Sequence, residues 1–233
     1  MISSPGFSRW LLCGFLLLVT AAQAGPFDVT AEKLDQRIRR SADRLAEMQA
    51  EPTKRIPAEL IARARGIIIL HKFKAGFILG GEGGNGVALI RDARTGRWSA
   101  PAFIGSAEGS YGLQIGAQES DIILLLMNDA ALKPLLGGSF NVGVDVEAAA
   151  GPNDAGGQID TNTLTTPILV YSNSGGLFAG AAFKGGAIFS AEKQNDLYYR
   201  RGMSDILFDP AVRASASGQH LINVIDSFSG RGR

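Results

Sequence analysis

The chain has 233 residues, 45% of them apolar and 19% charged, which is enough for one well-buried domain; thirty glycines among strand-like runs favour an all-β or α+β core. A formal net charge of +1 gives no bulk electrostatic case for nucleic acid, and none is expected as a partner. Two histidines, His71 and His220, and a single cysteine leave no material for a zinc site or a disulfide framework, so neither metal nor cofactor is expected.

Residues 1–24 read as a targeting segment. Arg9 supplies the positive flank, Trp10 to Val19 the apolar run and Ala22-Gln23-Ala24 a small-x-small cleavage site before Gly25. The run is shorter than the roughly 20 residues a membrane span needs. Cys13 is preceded by Leu11 and Leu12, where a lipobox wants small residues, so the mature protein is expected to begin at Gly25 without an acyl chain. The chain then divides into a signal peptide (1–24), an N-terminal helical segment (25–55) and one domain (56–229).

Leu34, Ile38, Ala42, Leu45 and Met48 recur at steps of three and four, which predicts an amphipathic helix capped by Thr30 and stopped by Pro52. Its bases, among them Arg37, Arg40 and Arg44, alternate with acids, as on a solvated face. Pro57 opens a second helix, Ala58 to Ala64. From Gly66 to Gly116, apolar runs (Gly66–Leu70, Phe77–Leu79, Val87–Ile90, Ala102–Ile104) alternate with glycines and one turn, Asp92–Gly96. Strands announce themselves this way, and glycines inside them point to tight curvature or a surface on which something is laid.

Asp121–Met127 predicts a buried strand, and Asn128–Gly137 a short helix capped by Asn128 or Asp129. Phe140 to Ala150 alternates as a half-exposed strand does. Residues 151–157 read as a loop, Pro167–Tyr171 and Leu177–Ser190 as strands. Asp209-Pro210 is read as the start of a last helix carrying Leu221, Val224, Ile225 and Phe228, weakened by Gly218. Gly76-x-x-x-Gly80 with Gly86 is echoed by Gly176-x-x-x-Gly180 with Gly186, too short a match to establish duplication.

Chemistry is sparsely signalled. Gly81-Glu-Gly-Gly-Asn-Gly86 matches a dinucleotide fingerprint as a string, but a strand follows where a helix must open. Ser106, Ser110 and Ser120 lie in no nucleophile elbow, and His71, oriented by Glu82, Glu108 or Glu119, is the sole base on offer. An enzyme is not expected. There remains His71-Lys72-Phe73-Lys74-Ala75-Gly76, with Arg63 and Arg65 upstream: lysines bind phosphate as point charges, and Phe73 between them would enter a headgroup boundary. The residues alone favour the alternative, in which strand alternation turns Phe73 into the core and leaves both lysines solvated. Arg91 and Arg94, beside the turn, are expected to matter less for an anionic surface.

The segments Ala64-Arg-Gly66-Ile-Ile-Ile, Phe73-Lys-Ala-Gly-Phe77, Gly84-Asn-Gly86-Val, Trp98-Ser-Ala-Pro101 and Gly175-Gly-Leu-Phe-Ala-Gly180 resemble the SYLF domain of yeast cortical-actin-patch proteins and animal SH3-containing proteins. The resemblance covers about Ile56 to Ile225. It implies a lipid-binding module, with phosphoinositide binding in eukaryotic members through basic residues and an amphipathic N-terminal segment, and actin binding in some. The leader and the lack of an SH3 or FYVE segment depart from that pattern and imply an exported bacterial member, periplasmic and peripheral to a membrane, which does not meet cytosolic actin.

The expected fold is therefore α+β: a Gly-rich, mainly antiparallel curved sheet or barrel-like sandwich with N- and C-terminal helices packed on it. The expected function is non-enzymatic binding of anionic phospholipid or phosphoinositide-like headgroups. Lys72, Lys74, Arg65, Arg63 and Phe73 are the candidate contacts. The alternative is a structural or protein-interaction module with an envelope protein as partner.

Overall fold

The computed structural model describes residues 29–77, 79–111, 118–154, 159–173 and 186–230, with the side chains of all of these except 74–82 and 108–118. Helix α1 (Ala31–Ala50) and helix α2 (Ala58–Arg63) precede strands β1 (Gly66–Phe77), β2 (Leu79–Ile90), β3 (Ala102–Tyr111) and β4 (Gln118–Leu126). Then come α3 (Asp129–Leu136), β5 (Ser139–Asn141), β6 (Ala148–Ala150), α4 (Thr161–Thr165) and β7 (Ile168–Ser172). The chain finishes with β8 (Ala187–Ser190), α5 (Glu192–Tyr199), α6 (Met203–Phe208) and α7 (Ala216–Phe228).

The strands form one curled half-barrel sheet in the order β5-β8-β3-β2-β1-β4-β7-β6, antiparallel throughout except where β6 joins β7. The α+β expectation, with terminal helices on a curved, mainly antiparallel sheet, holds. Strand alternation splits its residues into two cores. Ile67, Ile69, Val87, Leu89, Phe103, Ile123 and Leu125 face α1, α2 and α7, whose stripes include Leu34, Ile38, Leu45, Leu60, Leu221 and Ile225. Ile68, Leu70, Ala88, Ile104, Ile122 and Leu124 face the other way, under α3, α6 and the curl of β5 and β8. Burial on both faces explains why Gly66–Leu70 and Ile122–Leu126 read as unbroken apolar runs.

Capping follows the sequence closely. Thr30 accepts from Lys33 N at the start of α1 and Asn128, rather than Asp129, caps α3. Glycine inside strands has a local reason: a Cβ at Gly105 would sit 2.5 Å from the Phe189 ring, which lies flat across the bare backbone.

Three sequence expectations need correction, and one helix was not foreseen. Residues 140–150 are not one strand: β5 ends at Asn141, residues 143–145 turn with Gly143 at positive φ, and β6 begins at Ala148. The alternation of valines is spent on both sides of the turn, where Val142 bridges Val146. Asp209-Pro210 ends α6 instead of opening the last helix, which starts at Ala216 behind the Ser215 cap. Helix α5, unanticipated, is mostly polar and keeps its place through Asn195, whose side chain accepts from Phe103 N (2.7 Å) and donates to Phe103 O (2.9 Å), replacing a strand neighbour. Gly218 does not interrupt α7; it lets the helix approach Pro101, whose Cδ would lie 3.0 Å from a Cβ there. Of the predicted strand Leu177–Ser190, residues 187–190 form β8 and 177–185 lie outside the described residues. The leader and the second member of the glycine echo lie outside them too.

Candidate functional site

The predicted contact residues fall at opposite ends of β1. Arg63 and Arg65 precede its first residue, while Lys72, Phe73 and Lys74 lie six to eight residues along it, about 20 to 26 Å away at 3.3 Å per residue. They do not form one rim.

At the Gly66 end, β1 and β2 emerge between α3, the Asp92–Gly96 turn and the α6–α7 connection, around a cleft of about 570 Å³. Six cations line it (Arg65, Arg91, Arg94, Arg97, Lys133 and Arg213) against three acids, Asp92, Asp129 and Asp209. The acids are engaged locally. Asp129 holds Arg65 at 3.0 Å, Asp92 accepts from Thr95 N (2.6 Å) and Arg94 N (3.0 Å) in its own turn, and Asp209 accepts from Ala211 N (2.9 Å). Those turn bonds hold the Asp92 carboxyl below its ordinary pKa, the Thr95 backbone N–H first. Among the described residues Arg94, Arg97, Lys133 and Arg213 form no ion pair, and all four are exposed.

The back wall of this cleft is built by the Trp98 motif. Arg91, 5% exposed, lies 4.2 Å over the indole ring and donates to Ala62 O (2.6 Å), tying β2 to α2. Trp98 Nε1 donates to Asp226 of α7 (3.0 Å). Apolar side chains floor the cleft, Leu132, Leu207 and Ile222 among them, and at its rim Leu136 is 56% exposed and Phe208 38%. Arg65 Nε is buried without a hydrogen-bond partner among the described residues.

At the other end the expected geometry is inverted. Lys72 is buried, 3% exposed, and Phe73 is 48% exposed. The reason is parity. Lys72 shares the face of Ile68 and Leu70, which is covered, whereas Phe73 shares the face of Ile67 and Ile69 but lies beyond the reach of α1. Its ring instead rests on Gly83. The expectations of a solvated Lys72 and of a core-facing Phe73 are thereby corrected. The side chain of Lys74 lies outside the described set.

Between these residues and the apolar core runs a polar row. His71 stands opposite Asn85 on one side and Asp121 on the other. Asp121 Oδ1 lies 2.9 Å from His71 Nδ1, and Arg44 of α1 donates to the same oxygen and touches the imidazole. Asn173 donates to Asp121 Oδ2 (2.9 Å) and accepts from Asp121 N (3.0 Å). Burial, then the Arg44 charge, lower the His71 pKa from its ordinary value. The shallow cavity beside this row is lined by Arg40 and Arg44 against Asp43, Glu47, Glu119 and Asp121, so its cations face an excess of acids.

Of the serines weighed as nucleophiles, none among the described side chains shares the face of His71. Ser106 and Ser120 lie on the Lys72 face of the sheet, opposite the face of His71, and Ser110 lies outside the described side chains. Among the described side chains the nearest acid to His71 is Asp121, with Glu119 3.8 Å from Nε2; the side chains of Glu82 and Glu108 lie outside them. The cleft residues Lys133, Arg97, Arg213, Leu136 and Phe208 were missed by sequence reasoning. They come from separate segments that only the fold assembles; Arg94 and Arg97, in and just after the Asp92–Gly96 turn and before Trp98, were the one local hint.

Among known proteins, the family model Ysc84, described as "Las17-binding protein actin regulator", matches residues 107–228. The chain is 35% identical over 184 residues to SH3 domain-containing YSC84-like protein 1 of Bos taurus, covering 76% of this chain and 53% of that protein. The Homo sapiens protein of that name is 34% identical over the same shares. Protein YSC84 of Saccharomyces cerevisiae is 29% identical over 177 residues, 74% of this chain and 38% of the yeast protein. This chain thus spans about half, or less, of the length of these relatives. No solved structure matches it. The matched segment takes in β4 to β8 and helices α3 to α7, and the aligned relatives extend over three quarters of the chain, so the protein belongs to the Ysc84 (SYLF) family.

Proposed function

We propose that this protein is a non-enzymatic module of the cell envelope that binds anionic phospholipid or phosphoinositide-like headgroups at a membrane surface. One observation carries this reading: the cleft at the Gly66 end sets exposed Arg94, Arg97, Lys133 and Arg213 around an apolar rim, with its acids engaged in local bonds. Each basic residue near an anionic surface contributes about 1 kcal/mol, and exposed Leu136 and Phe208 supply apolar contact beyond the headgroup plane. Arg63 and Arg65 belong to this end. Phe73, with Lys74 following it along β1, offers a second, weaker contact.

Flotation with vesicles of phosphatidylcholine, with and without phosphatidylserine, tests the reading. The protein should float with the anionic vesicles only, and less so as salt rises, because exposed charges are screened over about 8 Å at physiological ionic strength. Lys133→Glu with Arg213→Glu should release it, by up to ~4 kcal/mol for four units of charge. If wild type stays behind, the lipid reading falls. The family description favours a second reading, a protein-interaction module with an envelope protein as partner; that module would stay unbound in flotation. Actin binding rests on the family description alone.

Export belongs to the same proposal. Mass spectrometry of the secreted form should find Gly25 at the N-terminus and no acyl group on Cys13.

A further inference from the structure

We infer that the cleft at the Gly66 end takes up one acyl chain of an anionic amphiphile, instead of only resting its cations on a flat headgroup layer. The inference rests on the lipid reading above and names the occupant of that same site. A flat electrostatic contact needs outward cations and no cavity, but here the cations ring an opening whose floor is apolar. Leu132, Leu207 and Ile222 belong to the two cores and reach the cleft at their edges, while Leu136 and Phe208 stand exposed at the mouth.

The size selects the occupant. About 570 Å³ lies within the range of small-ligand pockets. Two turns of an α-helix, 10 to 12 Å wide and about 11 Å long, would fill at least ~850 Å³. An extended hydrocarbon chain is far thinner and stays within that volume, and its charged end then meets exposed Lys133 and Arg213 at the mouth. Charge complementarity therefore asks for a carboxylate or phosphate on the chain, and the shared chemistry is an anionic head with one apolar tail.

The cleft carries its own reporter. Trp98 lines it, and Trp10, in the leader, is the other tryptophan of the chain, so Trp10→Phe leaves Trp98 as the single tryptophan, excited selectively over the tyrosines at the red edge of their absorption. We expect 9,10-dibromostearate, below its critical micelle concentration, to quench Trp98 saturably at one molecule per chain. Stearylamine should compete at least tenfold more weakly than stearate, and oleoyl lysophosphatidic acid at least as well. Val212→Phe, which fills the cleft, should weaken quenching tenfold or more; Gln219→Phe does the same from an exposed lining position should Val212→Phe fail to fold.

The outcomes separate the two claims. Vesicle flotation without saturable quenching overturns the acyl-chain inference and leaves the surface reading standing. Quenching without flotation supports the inference and removes the surface reading. Neither signal removes both. Quenching unchanged in both filling variants, with circular dichroism of the native kind, places the chain elsewhere and overturns the inference.

Discussion

The two ends of β1 carry the same kinds of residue and put them to opposite use. At the Gly66 end Arg94, Arg97, Lys133 and Arg213 look outward and form no ion pair among the described residues, around an apolar floor. At the Lys72 end Arg44 is bound to Asp121 and His71, Lys72 is buried, and the aromatic Phe73 is exposed. A cation in a sequence is therefore not yet a surface charge. Whether it recognises a partner or holds the fold depends on what covers its face of the sheet.

The sharpest way to break this comparison is to make one charge reversal at each end. Lys72→Glu places a carboxylate on a covered face and strips Lys72 from its surroundings; breaking a buried charge arrangement by one partner costs roughly 3–5 kcal/mol. Lys133→Glu, on the exposed face of α3, should stay within about 0.5 kcal/mol. Urea midpoints of the two variants decide it, and equal stabilities would mean that Lys72 is not an internal residue.

Next in size is Asp121→Ala, which removes the acceptor shared by Arg44, His71 and Asn173. The side chains of Asp121 and Arg44 are 14% and 22% exposed, so solvent screens the pair and the loss should be about 2–3 kcal/mol, below that of a fully buried pair. Because this row joins α1 to β4 and β7, hydrogen exchange should quicken in α1 before it does in β1. Vesicle binding per folded molecule should not change.

Smaller still is Gly105→Val. The Phe189 ring occupies the space of any side chain there, and overpacking a filled site costs roughly 1–3 kcal/mol. Phe189 is 39% exposed and free to swing out, so about 1 kcal/mol is expected, read as a shift in thermal midpoint.

The smallest effect is a pH slope. Burial and Arg44 hold the folded pKa of His71 below its ordinary 6.5, so the unfolded chain binds that proton first. The His71 contribution is complete above about pH 6.5 and declines as pH falls from there toward the folded value. Asp35 behaves differently. Hydrogen bonds from Ser217, then Tyr198 and Arg39, hold its carboxyl below 3.8, so its contribution is lost only in stronger acid. Unfolding free energies at pH 7 and 5 should differ in wild type and converge in His71→Asn.

Much of the scaffold was legible because it rests on periodicity. The stripe of α1 at Leu34, Ile38, Ala42, Leu45 and Met48, its Thr30 cap, the start of β1 at Gly66 and the Asp92–Gly96 turn all express local rules. Helix α5 was not legible, since a polar segment with one buried Asn195 has no stripe and gains its place from hydrogen bonds to Phe103. The 140–150 segment misled because a pattern of period two does not record that the chain reverses at Gly143.

By itself the sequence determined the alternation, and therefore that Lys72 and Phe73 lie on opposite faces of β1, because successive side chains of a strand point opposite ways. It also carried the family motifs, whose Trp98 and Pro101 became contacts to Asp226 and Gly218 of α7. Only the tertiary structure decided which face is covered where. Helix α1 shields Ile67 and Ile69 but stops short of Phe73, while the opposite face is buried as far as Lys72. The cleft likewise exists only in three dimensions: Arg65, Arg97, Lys133 and Arg213 come from four separate segments, drawn together because each flanks an element packed on the same end of the sheet.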